Sequence, residues 1–81
     1  MSLTEGAFEE VRAELDRAVA KFGGFHNAHE GYAVLLEEVD ELWDLVKLPS
    51  SSRTPEQLHS MRKEAKQVAA MAIRFMLEVT P

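Results

Sequence analysis

The stretch LLEEVDELWDLV, residues 35–46, places a carboxylate among apolar side chains. On a helix that turns about 100° per residue, Glu38 falls inside the apolar arc, between Leu42 and Leu45. Glu41 lies about 60° further round, at the edge of the arc, because residues three apart are neighbours on a helix surface. A solvated acidic face accounts for the other acids of the stretch, which point away from the apolar stripe: Glu37, Asp40 and Asp44.

A second stretch, KEAKQVAAMAIRF at residues 63–75, repeats this pattern. Glu64 falls inside its apolar arc, between Met71 and Phe75, and Gln67 follows three residues later at the edge. A lone buried carboxylate is costly, so such groups are paired with a cation, protonated or bound to a metal ion. Two helices with the same misplaced acid therefore predict one shared site.

Two kinds of site fit these acids, a shared metal site and a buried structural ion pair. The cations that could form an ion pair are Lys63, Lys66 and Arg74. A metal site here would consist of oxygen ligands without histidine or cysteine, which favours Mg²⁺ or Mn²⁺ over Zn²⁺. Mg²⁺ held by a few carboxylates keeps water ligands and recruits substrate phosphates. The chemistry indicated is metal-assisted attack of water on a phosphate ester or anhydride.

Other side chains near these acids admit two interpretations each. Lys63 and Arg74 project on the same side as Gln67, so they could bind substrate phosphates or serve as ordinary surface cations. Tyr32 and Trp43 project away from Glu38, which favours packing in the core or at a subunit interface over stacking on a base. The chain has no glycine-rich phosphate loop, which excludes an ordinary P-loop enzyme.

The composition describes one small domain, residues 1–81, with a surplus of apolar surface. Of its 81 residues, 46% are hydrophobic, and the apolar arcs of the last two helices are wider than the ~100° that one neighbour covers. This surplus predicts a homo-oligomer, most simply a two-fold dimer. A loosely packed monomer is the alternative.

Charge and hydropathy exclude several classes of partner. The net charge of −5 leaves no basic stripe for nucleic acid. The chain has no cysteine, which excludes disulfides and thiol chemistry. Its longest apolar run, residues 68–73, is far shorter than the ~20 residues of a membrane span. Residues 1–10 are polar and acidic, unlike a signal peptide, so a cytoplasmic location is expected.

The residues that could do chemistry are carried by three predicted helices, at about residues 4–22, 28–47 and 55–79, with no strand. Ser2 or Thr4, Asn27 and Thr54 are candidate N-caps, and Gly23-Gly24 is expected to end the first helix. Residues 48–54 are expected to form a flexible loop. The first helix is predicted to face the core and to carry no chemistry, because its apolar residues recur at helical spacing: Phe8, Val11, Leu15, Ala18, Val19 and Phe22.

The acidic pattern also carries a resemblance to a known family. Glu37-Glu38-x-x-Glu41 followed by Glu64 resembles the E-E-x-x-E…E-x-x-D signature of MazG-like all-α nucleoside triphosphate pyrophosphohydrolases, relatives of the dimeric dUTPases and dCTP pyrophosphatases. The resemblance covers about residues 25–78. It implies a four-helix-type bundle, dimeric or tetrameric, whose site is completed by oligomerisation. It also implies Mg²⁺-dependent cleavage of a (d)NTP to (d)NMP and pyrophosphate.

By motif position, the resemblance implies metal ligation by Glu38, Glu41 and Glu64, and a water-orienting role for Glu37. Gln67 stands where the family has aspartate, so it offers a carbonyl oxygen without negative charge. The enzyme interpretation is favoured. The alternatives are a degenerate nucleotide- or metal-binding or purely oligomeric module, which Gln67 favours, and a structural bundle with ion-paired glutamates.

Overall fold

The computed structural model describes residues 2–51 and 53–81 in full and the backbone of residue 52. Three α-helices follow one another, α1 (Leu3–Lys21), α2 (Ala28–Val46) and α3 (Pro55–Glu78), with one 3₁₀ turn at Ser50–Ser52. No strand occurs among the described residues. The predicted all-α class is therefore confirmed, and each helix begins and ends within one residue of its expected bounds. Residue 1 of the predicted domain lies outside the described residues.

Side-chain caps begin all three helices, as the sequence predicted. Ser2 accepts a hydrogen bond from the Glu5 N–H, Asn27 from the Glu30 N–H, and Thr54 from the Gln57 N–H. Each bond satisfies one of the backbone donors that a helix start leaves without a partner. The first helix ends differently from the expectation, because Phe22 leaves it in an extended conformation and neither following glycine has a positive φ.

The third helix holds the molecule together. It packs against both α1 and α2, whereas α1 and α2 make no packing contact with each other within the described chain. The result is an open, flattened arrangement measuring 42 × 32 × 19 Å. A cleft therefore remains between the first two helices, with α3 as its floor.

The buried core is small and lies where α1 and α3 meet. It consists of Ala18, Ala70 and Met71, with partly buried neighbours that include Leu15 and Leu35. The prediction of a core-facing α1 is wrong for much of its apolar face, because Phe8 is 70% exposed, and Val19 and Phe22 are also exposed. Since α1 contacts one helix rather than two, only one narrow side of it can be covered.

One glycine allows the close approach of α2 to the end of α3. A Cβ atom added at Gly31 would lie 2.8 Å from a ring carbon of Phe75 and 3.1 Å from one of Phe25. Gly31 is itself buried, so a side chain at this position would have to displace both rings. This contact fixes the start of α2 beside α3 and so sets the distance between the helices that carry the predicted acidic site.

The hydropathy of the helices agrees with the expected absence of a membrane-spanning segment. Within the described residues, none of the helices combines the length and the apolar character that a membrane crossing requires.

Candidate metal centre

A cleft of about 930 Å³ runs between α1 and α2 and brings the predicted site residues together. Each helix contributes one side of its surface, and the connection between α1 and α2 closes one end. All seven residues predicted from the sequence for the site line this cleft: Glu37, Glu38, Glu41, Lys63, Glu64, Gln67 and Arg74. The cleft therefore holds the two acids that the helical projection found inside apolar arcs, Glu38 and Glu64, together with Glu37, which the projection had assigned to a solvated face.

Three carboxylates converge in the cleft from two different helices. Glu38 and Glu41 of α2 and Glu64 of α3 each place an oxygen within 4.8 Å of the others. Glu38 and Glu64 are partly buried, and Glu41 is exposed at the rim. The spacing of three on α2 puts two acids on one side of the helix, and the packing of α3 against α2 adds the third.

These three acids do not have the surroundings of a structural ion pair. The Oε2 atom of Glu64 is buried and has no hydrogen-bond partner among the described residues. The groups beside it are carboxylates, which can donate a hydrogen bond only when protonated. No ion pair involving Glu38, Glu41 or Glu64 occurs in the described chain. A carboxylate without a partner in such a place needs a proton or a cation.

The electrostatics of the cluster agree with this requirement. Burial, followed by the neighbouring charges of Glu41 and Glu64, raises the pKa of Glu38 to about 7. Burial and the proximity of Glu41 also raise the pKa of Glu64, while Lys63 acts in the opposite direction. Near neutral pH Glu38 is therefore partly protonated, and a divalent cation could displace its proton.

The other predicted residues surround the cluster. Glu37 is exposed on the α2 wall, and Gln67 is partly buried on the floor, one turn after Glu64. Lys63 is exposed and lines the cleft next to Glu64. It forms no ion pair with a described residue, so its ammonium group is free to meet an anion.

Arg74 also lines the cleft, but its guanidinium group already has several partners. It is 3% exposed, and its Nε donates to Glu78 Oε2 at 2.8 Å, while Nη2 donates to the Gly23 carbonyl at 2.9 Å. The guanidinium carbon lies 4.2 Å from the ring centre of Phe25, a favourable cation–π arrangement. Glu78 in turn accepts a hydrogen bond from the Phe25 N–H at 2.7 Å.

Sequence analysis missed the contribution of α1 to the cleft. Glu14 is 6% exposed, lines the cleft and pairs with Arg17, whose Nε donates to Glu14 Oε2 at 3.2 Å. The signal was present, because Glu14 lies three residues after Val11 and four before Ala18 and so shares their side of the helix. The sequence analysis gave α1 no part in the site, whereas the structure places Glu14 and Arg17 in the lining of the cleft.

Comparison with known proteins adds no relative to this description. No family model, no curated protein and no solved structure matches the chain.

Proposed function

We propose that this chain is a Mg²⁺-dependent nucleoside triphosphate pyrophosphohydrolase of the MazG-like kind. Water would attack the α-phosphorus of a (d)NTP, the bond from that phosphorus to the bridging oxygen would break, and pyrophosphate would leave with that oxygen. The observation that carries the proposal is the convergence of Glu38, Glu41 and Glu64, whose oxygens lie within 4.8 Å of one another without an ion pair to any cation of the described chain.

The residues present fit a hard divalent cation. The donor set consists of oxygen atoms, as Mg²⁺ and Mn²⁺ prefer. The buried Glu64 oxygen lacks a hydrogen bond from the described residues, and a metal ion would satisfy it. Glu38, Glu41 and Glu64 would hold the ion, and the amide oxygen of Gln67 is available next to them. When bound, the ion supplies positive charge that offsets charge developing on the phosphate oxygens and activates water for attack.

The remaining cleft residues have roles that follow from their positions. Glu37 is a carboxylate on the exposed part of the α2 wall, where it can accept a proton from the attacking water and orient it. Lys63 brings a free ammonium group for the leaving phosphates. Arg74 is engaged with Glu78 and the Gly23 carbonyl, so its part in substrate binding would be to hold the cleft wall in place.

The size of the cleft is compatible with a nucleotide. Sites for small molecules measure about 300–1,000 Å³, and this cleft measures about 930 Å³. We further propose that the active form is a homo-oligomer in the cytoplasm, in agreement with the apolar surplus of the sequence.

The decisive experiment measures pyrophosphate release from a panel of NTPs and dNTPs with Mg²⁺ or Mn²⁺. In the Glu38→Ala variant we expect the rate to fall by more than about 100-fold, since changes even in the surroundings of metal ligands cost 10–100-fold. Asp40→Ala is the matched control, because Asp40 is an exposed acid of the same helix outside the cleft. Equal activity of the parent and Glu38→Ala would rule the mechanism out.

A degenerate relative that binds nucleotide or metal without turnover is the second candidate, and Gln67 favours it. Gln67 brings no charge to a cleft position beside three acids, so the site holds Mg²⁺ less tightly than four carboxylates would. The Gln67→Asp variant separates the candidates. Release of pyrophosphate by Gln67→Asp but not by the parent would establish the degenerate module. Release by the parent would establish the enzyme.

A further inference from the structure

Four basic side chains recur along one side of α3, next to α1. Residues three or four apart share a side of a helix, and these four stand at such spacings: His59, Arg62, Lys63 and Lys66. Together they cover about 10 Å of the helix axis. On a chain with a net charge of −5, this stripe is a local reversal of charge.

The stripe and α1 together line a hollow of about 600 Å³, here called the basic hollow. From α1 come Glu10, Glu14 and Arg17, which also share one side of their helix. Four of the nine Lys and Arg residues of the chain line the basic hollow, against two acids. It therefore carries a surplus of two positive charges before any protonation of His59.

The two acids hold the two guanidinium groups in place and leave part of each free. Arg62 donates from Nε to Glu10 Oε1 at 3.1 Å, and Arg17 donates from Nε to Glu14 Oε2 at 3.2 Å. Nη2 of each arginine bonds to the same glutamate, but Nη1 has no hydrogen-bond partner among the described residues. A guanidinium that one carboxylate orients and that keeps free donors is preorganised for a second anion.

Lys66 brings a charge that the described chain does not pair. The residue is partly buried, yet it forms no ion pair with a described residue. Its charge does reach Glu10: the hydrogen bond from Arg62 is the main reason why the pKa of Glu10 lies below its usual value, and the charges of Lys66 and His59 lower it further. A partly buried ammonium group beside other cations is unfavourable unless an anion joins it.

We propose that the basic hollow binds a multiply charged phosphate anion and that inorganic pyrophosphate is the ligand it fits. Phosphate oxygens accept hydrogen bonds from several directions, as donors on two helices require, and they match the fork of a guanidinium. A single phosphate group would fill only a small part of about 600 Å³. A nucleic acid is a poor fit, because the stripe spans only about three phosphates of one strand.

The basic hollow adjoins the cleft without including the carboxylate cluster. Glu14, Arg17 and Lys63 line both, whereas Lys66 lines only the basic hollow and Glu38 only the cleft. Pyrophosphate formed in the cleft would thus have a second site beside it that needs no metal ion. Only this source of the anion rests on the proposed function. The binding itself does not, because the chain supplies the cations.

The first test titrates inorganic pyrophosphate by calorimetry into the full chain, freed of metal on a chelating resin, at low ionic strength. Without metal the carboxylate cluster repels the anion, so binding reports on the basic hollow. Lys66→Gln should weaken binding about fivefold, near the upper limit for an exposed charge. Arg12→Gln removes one charge from an exposed position outside both sites and should leave the affinity unchanged.

Three results of this titration would overturn the proposal. They are no binding to the parent, equal losses in the two variants, and sulfate binding as tight as that of pyrophosphate, which would indicate attraction to charge alone.

A second test needs no variant and so does not depend on how a substitution affects folding. Amide chemical shifts of the isotope-labelled, metal-free chain are recorded with and without pyrophosphate. We expect the largest changes at residues 10–17 of α1 and 59–66 of α3, with little change around Glu38 and Glu41. Changes confined to α2, or no changes at all, would overturn the proposal. Neither result bears on pyrophosphate release in the presence of Mg²⁺, so the two proposals can fail separately.

Discussion

A partly buried carboxylate has opposite surroundings just behind one end of the cleft and inside the other. At one end Glu78 has Arg74 as its ion partner at 2.8 Å and also accepts the Phe25 N–H. The hydrogen bond from Arg74 is the main reason why the pKa of Glu78 lies below its usual value. At the other end Glu38 meets two further carboxylates, and its pKa rises to about 7. The same chemical group is therefore satisfied in one place and left in need of a cation in the other.

The difference distinguishes a structural acid from a candidate ligand. An acid that stabilises the fold has its compensating charge and donors within the chain. An acid whose charged form is disfavoured by burial and like charges stabilises the fold only when something else binds there. Solvent exposure alone does not separate them, since both glutamates are partly buried.

The largest expected effect comes from removing the cation that pairs with Glu78. Arg74→Leu removes a buried guanidinium and leaves Glu78, whose side chain is 20% exposed, without its counter-ion. We expect the free energy of unfolding to fall by about 3 kcal/mol, since an uncompensated buried charge costs 3–5 kcal/mol. Urea denaturation measures it. Arg12→Leu is the control, because Arg12 is exposed and forms no ion pair within the described chain; equal losses in both variants would contradict a structural role.

Removing the unpaired charge of Glu38 should raise the free energy of unfolding instead of lowering it. Glu38→Gln removes a charge that burial and two neighbouring acids disfavour. In EDTA near pH 8 we expect the variant to be more stable than the parent by about 1–2 kcal/mol, after allowance for the partial exposure of the group. Excess Mg²⁺ should stabilise the parent and leave the variant unchanged. Thermal melts in EDTA and in Mg²⁺ measure these two differences in stability. If metal-free Glu38→Gln were less stable than the parent, Glu38 would be a structural acid like Glu78.

The pH dependence of the metal-free protein follows from the raised pKa of Glu38. Folding raises this pKa from 4.5 to about 7, so the folded chain binds the proton more tightly than the unfolded chain does. The stabilisation is complete below about pH 4.5 and is lost as the pH rises through about 7. The measurement is the difference in unfolding free energy between the parent and Glu38→Gln from about pH 4 to pH 8. If the difference in unfolding free energy between the two proteins did not change with pH, the raised pKa of Glu38 would be wrong.

The smallest effect is expected from the free cation at the rim. Lys63 lies near enough to Glu64 to lower the pKa of that carboxyl. The Lys63→Ala variant removes this positive charge and, with it, the proposed contact to the substrate phosphates. We expect KM for the nucleotide to rise about threefold with little change in metal affinity, as befits an exposed charge. Lys66→Ala, outside this cleft, serves as the control, and an equal rise in KM there would indicate a general charge effect.

The sequence was sufficient for features that depend on one helix at a time. The period of the helix placed Glu38, Glu41 and Glu64 on sides that face a neighbour, and the caps at Asn27 and Thr54 marked the helix starts. The prediction that these acids bind metal stays a prediction. For Tyr32 and Trp43 the sequence left core and interface packing open, and their exposure of 60% and 58% excludes the core.

Features that depend on how helices meet could not be read from one sequence. Arg74 and Glu78 are an ordinary i,i+4 pair by spacing, and only the approach of the segment around Gly23 and Phe25 buries them. Likewise, the exposure of Phe8 on α1 follows from the absence of α2 beside it. A periodic apolar face shows that a helix can pack, but it does not give the number of neighbours.

The central position of α3 has a consequence for how the chain acquires its structure. Since α1 and α2 both pack on α3 and not on each other, neither can be held in place before the third helix is made. Most of the stability of a protein helix comes from tertiary packing, so a ribosome-bound chain that ends before residue 55 would lack stable tertiary structure. Assembly should then begin only once most of α3 has emerged, and a stop or slow codon within α3 would leave two apolar helices exposed to chaperones and proteases.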